Sequence, residues 1–222
     1  MSVFEGCHRG QRCFLIGSGP SISKMDLTWL RREITICVNQ SYKALDFDPS
    51  YICIGDRKLW PWIKDVYAQM SSTIICGSGW DGSVGQGYTG GNLGVVVPLD
   101  KTRLVKDGHF RHDLERIYPA FNVVPEVALP FVLHTGCAEC YLIGCDCTQE
   151  GYFYPDAESA RPHAKQRVLP RAMASYPVIR DYAEEHGLTR IFNAGVGGRL
   201  DVFPRVDFES LKPEKSTTEV SP

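Results

Sequence analysis

Residues 12–21 read RCFLIGSGPS. Residues 13–16 form a short apolar run that stops at Gly17-Ser18-Gly19-Pro20-Ser21. A helical pattern follows over residues 24–31, with Leu27 and Leu30 on one face. Strand, tight glycine turn and helix make the first half of a βαβ unit of the kind that holds nucleotides. Glycine lets a backbone approach a phosphate with no Cβ in the way. A helix N-terminus behind it supplies unpaired N–H groups and the positive end of a dipole. Ser18 and Ser21 add hydroxyls, so residues 17–21 are the first candidate binding element. The spacing is G-x-G-P-S, so the dinucleotide fingerprint G-x-G-x-x-G is not met.

Working outward, the same punctuation recurs. Residues 34–38 form a continuous apolar run, the pattern of a strand covered on both faces of a parallel sheet, and end at Asn39-Gln40. Residues 51–54 end at Gly55-Asp56. Trp60, Ile63, Tyr67 and Met70 recur at helical spacing before a fourth strand at residues 73–76. Residues 140–143 form a further strand, followed by Gly144-Cys145-Asp146. A last strand is expected over residues 190–193, after a helix at 177–186 capped by Gly187. The expected fold class is α/β, Rossmann-like, with a mostly parallel sheet and helices on both faces.

The remaining segments are less regular. Ser23-x-x-Asp26 resembles a capping box. Residues 77–94 are too glycine-rich for a regular element and read as an excursion, a hairpin with residues 95–97 or a loop beside the site. Residues 101–116 are strongly charged, a solvated surface or a lid. Residues 124–134 read as a buried helix that Pro130 should kink. Residues 149–163, aromatic and polar, read as a loop. A single nucleotide-binding α/β domain over residues 12–212 is expected, with a loose lead-in at 1–11 and a disordered tail at 213–222.

Composition narrows the class. The chain has 222 residues and a formal net charge of −2, so no global basic field points to nucleic acid. No apolar run approaches the length of a membrane span. Nine cysteines without a signal-like leader fit free thiols in a reducing cytoplasm. Cys137-x-x-Cys140 and Cys145-x-Cys147 have metal-like spacing, but they flank a buried strand rather than sitting in loops. A homo-oligomer is left open.

In an open parallel sheet, ligands bind outside the carboxyl ends of the strands. Four polar strand ends, Gly17-Ser18, Asn39-Gln40, Asp56 and Asp146, are expected to converge there. That set suits a nucleotide: the glycine turn for phosphate or ribose, Asn39 for amide hydrogen bonds, Asp56 for a hydroxyl or a magnesium ion, and Asp146 for either or for capping its own loop. His163 is the best acid–base candidate, because histidine titrates near neutral pH. Tyr152 and Tyr154 offer hydroxyls to phosphate oxygens, or pack under the loop.

RCFLIGSGPSISKMDL (12–27), ITICVNQSY (34–42), PSYICIGD (49–56), ECYLIGCDC (139–147) and IFNAGVGGRLDVFPRVDF (191–208) together resemble the motility-accessory glycosyltransferase-like domain. That group is related to bacterial lipooligosaccharide sialyltransferases and to archaeal 6-hydroxymethylpterin diphosphokinases. The likeness spans roughly residues 12–211, with 77–120 unmatched. It implies a cytidine-monophosphate-activated sugar donor, of the sialic-acid-like nonulosonic class, bound by residues 17–21, by Asn39 and Gln40, and by Tyr154. It implies His163 as general base toward a glycan or other hydroxyl acceptor, with no metal required. Ser18 departs from the family's asparagine in G-N-G-P-S, and its small Ser-Gly or Gly-Thr pair is missing at Val124-Pro125. The related alternative is a diphosphokinase moving pyrophosphate from ATP to a pterin-like alcohol, with Asp56 and Asp146 on magnesium. A non-catalytic nucleotide-binding module is the third.

Overall fold

The computed structural model describes residues 3–100, 110–154 and 162–214. Among them, seven strands form one sheet: β1 (Arg12–Ile16), β2 (Ile34–Val38), β3 (Tyr51–Ile54), β4 (Thr73–Gly77), β5 (Leu93–Val97), β6 (Glu139–Ile143) and β7 (Arg190–Asn193). The spatial order is β5-β4-β3-β2-β1-β6-β7, and every pairing is parallel. The α/β Rossmann-like expectation therefore holds. The apolar runs are continuous because both faces are covered. Cys13, Leu15, Ile36, Val38 and Cys53 belong to one core layer, while Phe14, Ile16, Cys37, Ile52 and Ile54 belong to the other.

The first layer packs against two helices, α2 (Leu129–Thr135) and α3 (Pro162–Glu185), which contribute Phe131, Val132, Tyr176 and Ile179. The second packs against α1 (Trp60–Tyr67) through Trp60, Ile63 and Tyr67. The chain builds outward from β1 to β5, then returns to β1's other side with β6. The topological switch point therefore lies between β1 and β6, with all carboxyl strand ends on one edge.

Several local expectations are corrected. No α-helix follows the glycine turn. Two five-residue 3-10 helices, Pro20–Lys24 and Thr28–Arg32, take its place, and Ile22, Leu27 and Leu30 fill the second core layer from them. Asp26 does not close a capping box; its Oδ1 accepts from the Thr28 N–H at 3.1 Å and the Thr28 hydroxyl at 2.6 Å. The glycine-rich stretch is no hairpin, because β5 runs parallel to β4. Asn92 anchors that excursion by donating from Nδ2 to the Tyr67, Met70 and Ser72 carbonyls.

Before α2, residues Val124–Ala128 form a π-helix, with the Leu129 N–H bonded to the Val124 carbonyl. Pro130 has no N–H to return to the Glu126 carbonyl, and its ring crowds that carbonyl, so the helix widens just upstream. The helix expected at 177–186 begins at Pro162 and holds Pro170 and Pro177 within it. The lead-in is docked rather than loose. The N–H groups of Gly6 and His8 cap the His134 and Thr135 carbonyls, each at 2.9 Å, and Phe4 packs edge-on against Phe131. The cysteines of the metal-like spacings go to the core, except half-buried Cys147. Residues 101–109 of the charged segment, His109 included, and 215–222 of the tail lie outside the described residues.

Across the switch point the β1 and β6 turns touch. The Gly17 N–H donates to the Ile143 carbonyl at 2.8 Å and the Gly19 N–H to the Gly144 carbonyl at 2.7 Å. A Cβ on Gly19 would stand 2.5 Å from the Asp146 carboxyl and 2.7 Å from the Gly144 oxygen. We predict that Gly19→Ala destabilises the fold by about 2 kcal/mol through this overlap. Chemical denaturation reads the difference, and an unchanged midpoint would refute the close-packing role.

Candidate functional site

Asp146 is where the β1 turn is secured. Its Oδ2 accepts from the Ser21 N–H at 2.8 Å, and its Oδ1 accepts from the Ser21 hydroxyl. Both residues are buried. The donors that the sequence offered to a phosphate from Ser21 are thus spent inside the protein. Behind Gly17 and Ser18 stands a five-residue 3-10 helix with Gly19 at its N-cap, in place of the expected α-helix. Gly17 and Gly19 make room for the protein's own β6 turn. Asp146 caps this junction. Asp56 caps too: its Oδ1 accepts from the Lys58 N–H at 2.9 Å. The Asp56 and Asp146 strands, β3 and β6, stand three sheet positions apart, about 14 Å at ordinary strand spacing.

The polar groups left open lie one strand away, around the end of β2. Ser41, fully buried, donates to the Ile16 carbonyl at 2.6 Å and accepts from the Val38 N–H at 2.9 Å, which fixes the two strand ends together. Asn39 then turns into the left-handed region, with φ of 50°. Asparagine tolerates that region better than most residues, yet such conformations carry strain and gather at functional sites. The Asn39 carbonyl accepts from the Tyr67 hydroxyl at 2.6 Å, and its N–H donates to the Cys53 carbonyl at 2.9 Å. Its side-chain Oδ1 is buried with no hydrogen-bond partner. A buried acceptor left unpaired costs free energy, so a ligand donor there would be repaid with binding.

Tyr154 joins Asn39 here. The Phe153 N–H donates to the Ser18 carbonyl at 3.2 Å, which folds the aromatic loop back over the β1 turn. Lys43 Nζ lies 4.8 Å from the centre of the Tyr154 ring and donates to Gln40 Oε1. Tyr154 is close enough to Tyr67 to add to the burial that holds the Tyr67 phenol well above its usual range. Asn39, Gln40, Lys43, Tyr67 and Tyr154 therefore form one cluster. Tyr152 stacks on Tyr154 at 5.4 Å.

His163 is not in a loop. It stands in the first turn of α3, whose N-terminus the parallel topology brings to the carboxyl edge of the sheet. Its side chain lies outside the described residues.

Sequence reasoning missed Lys43, Tyr67 and Glu126. Glu126 sits in the π-helix over the ends of β3 and β4, where its neighbour Val127 would contact a Cβ placed on Gly55 or Gly77. Its carboxyl is half-buried among apolar groups, and burial alone raises it to about 8. A single carboxylate inside NVVPEVALPFVL was the available signal.

The fold defines a doubly wound α/β protein with its polar cluster at the carboxyl edge. No family model matches the chain, and no curated protein matches it. Among solved structures it is similar to the "MAf glycosyltransferase from Magnetospirillum magneticum AMB-1", with a TM-score of 0.61 and 15% sequence identity. The likeness covers 95% of this chain but 36% of that one, so this chain spans about a third of its length. Among the described residues no helix is long and apolar enough to cross a membrane, and no group of three or more His, Cys, Asp or Glu side chains converges to hold a metal ion.

The Glu126 carboxyl sets a pH dependence. Its folded pKa lies above the unfolded one, so the folded state binds more protons between the two values, and stability falls as pH rises from about 4.5 to about 8. Glu126→Gln is expected to remove this part of the slope and to raise the melting temperature at pH 8 by about 4 °C. Melting curves from pH 5 to 8.5 on both proteins check it; identical slopes would place the carboxyl in water.

Proposed function

We propose that this chain is a glycosyltransferase that moves a sugar from a CMP-activated donor to an acceptor hydroxyl. The sugar is of the sialic-acid-like nonulosonic class. The observation that carries the reading is Asn39, held in a strained backbone with an unpaired buried Oδ1 beside Tyr154 and Lys43. The likeness of the fold to a glycosyltransferase adds support.

In this reading the Asn39 amide takes the exocyclic amine or ring edge of the cytosine. The donor phosphate lies against the Tyr154 hydroxyl and the Lys43 ammonium, within reach of the glycine turn. Transfer is a direct displacement. The acceptor oxygen bonds to the anomeric carbon as the bond from that carbon to the phosphate oxygen breaks. His163 takes the acceptor's proton, and CMP leaves with the bonding electron pair. Lys43 and Tyr154 offset the charge that develops on the leaving phosphate, which is where fixed donors accelerate such a reaction. No step calls for a metal. The diphosphokinase alternative puts Asp56 and Asp146 on magnesium, yet they belong to strands three positions apart, Asp56 caps its own turn, and Asp146 is taken up by Ser21 across the sheet.

A thermal-shift panel of CMP, CDP, UDP, GDP and ATP, each with magnesium and with chelator, tests the donor. CMP at a hundredfold excess over its Kd should stabilise the chain by about 2.7 kcal/mol, and chelator should not reduce this. Asn39→Ala should lose the shift. His163→Ala should keep the shift and lose transfer. A shift with ATP alone, and only with magnesium, would replace this reading by the diphosphokinase.

A further inference from the structure

Beside the nucleotide cluster lies a second set of residues that the proposed chemistry does not use. Phe121 has φ of 60°, in the left-handed region, where a bulky side chain is a clear outlier. The Arg171 guanidinium, carried on α3, lies over its ring at 4.5 Å from the centre. Trp80, from the glycine-rich excursion, stands 5.9 Å from Phe121 with the rings tilted by 32°. Trp80 is 48% exposed, so much of its indole faces water with no protein covering it.

Glu126 follows Phe121 by five residues, in the π-helix over the ends of β3 and β4. Its N–H donates to the Asn122 carbonyl at 3.0 Å, and Asn122 also caps the turn by accepting from the Val124 N–H at 2.9 Å. The four residues around Glu126, Val124, Pro125, Val127 and Ala128, are all buried, so it is the one polar side chain of the π-helix. Among the described residues its carboxyl has no hydrogen-bond donor and no cation beside it, and burial raises it. Segments of this kind, a π-turn in a helix with a lone polar group, recur at functional sites. A half-buried carboxyl without a partner is poorly spent in a core, where an apolar residue of the same size packs better.

We propose that Trp80, Phe121 and Glu126 form the acceptor subsite, and that the group they take is a pyranose ring. This rests on the glycosyl-transfer reading above. The aromatic ledge offers flat apolar surface to the C–H face of a sugar, and Arg171 fixes the Phe121 end of that ledge. The Glu126 carboxyl offers acceptor oxygens to the ring hydroxyls, for which the described residues supply no donor. Sites for small ligands have this composition: apolar walls with few polar groups at fixed places. The subsite stands over β3 and β4, and the nucleotide cluster stands over β2, so donor and acceptor would meet along a single sheet edge.

Saturation-transfer NMR on the full chain tests it, with the methyl glycosides of glucose, galactose and N-acetylglucosamine as probes, in the presence and absence of CMP. At least one glycoside should receive saturation from the wild-type protein. Trp80→Ala and Glu126→Leu should each weaken its Kd at least tenfold, and Glu126→Gln, which keeps an oxygen acceptor and the shape, should lose less. All three variants should keep the CMP thermal shift, which also shows that they fold. The proposal is overturned if no glycoside binds while CMP does, or if binding is the same in the Trp80 and Glu126 variants as in wild type. Transfer to a Ser/Thr peptide with no glycoside binding would overturn it in favour of a protein acceptor. Glycoside binding lost in the variants, with no CMP shift in any protein, would uphold the subsite and sink the donor reading instead.

Discussion

The bond between Asp146 and Ser21 fixes the edge of the sheet on which everything else is arranged. Doubly wound sheets leave a crevice where the chain reverses its direction of winding, and here that place is the gap between β1 and β6. Asp146 fills it with a carboxyl that takes both donors of Ser21, and Gly17 and Gly19 bring the two turns into backbone contact. Asp146 and Ser21 are both buried, so removing either partner leaves unpaired polar atoms in the interior. The glycines of the G-S-G-P-S turn therefore serve the protein's internal packing. The unpaired Oδ1 of Asn39 lies one strand further along, where β2 ends.

That displacement explains the character of the β2 end. Ser41 joins the ends of β1 and β2, and the Tyr67 hydroxyl holds the Asn39 carbonyl. The backbone of Asn39 is thus fixed on both sides, which is how a left-handed turn persists against its strain. What stays unsatisfied is the side-chain Oδ1 alone. Lys43 brings a cation to the same spot, placed by its contacts with Gln40 and the Tyr154 ring. An amide acceptor, an ammonium and a phenol are a set suited to a base on one side and a phosphate on the other.

The strands were legible because both faces of the sheet are covered. Continuous apolar runs such as CFLI and ITICV have no other stable home in a chain of this polarity. Asn39 was legible for the same reason, as the first polar residue after such a run. The partners of Asp146 were not: it lies 125 residues from Ser21, and a long-range contact leaves no local signature. The segment after the glycine turn misled because Leu27 and Leu30 share a face in a 3-10 pair as well as in an α-helix. The start of α3 was hidden by Pro170 and Pro177, which read as breaks although tertiary packing carries the helix through them. Glu126 was passed over inside an apolar helix whose burial was read correctly. The exception to a pattern was the informative residue, and attention to the pattern concealed it.

Backbone strain is unevenly spread over this molecule. Among the described residues four non-glycine residues have left-handed backbones, and three of them, Asn39, Phe121 and Cys147, belong to turns at the carboxyl edge. The same edge carries the unpaired Oδ1 of Asn39, while the other unpaired buried atoms among the described residues, on Trp29, Ser72, His134 and Thr189, lie elsewhere. The strands below it are fully laddered, and their side chains fill two apolar layers. A sequence under selection for stability alone would remove these costs one by one, since replacements that relieve them are plentiful. The left-handed turns gather at one edge, and the apolar layers beneath hold them there against their strain.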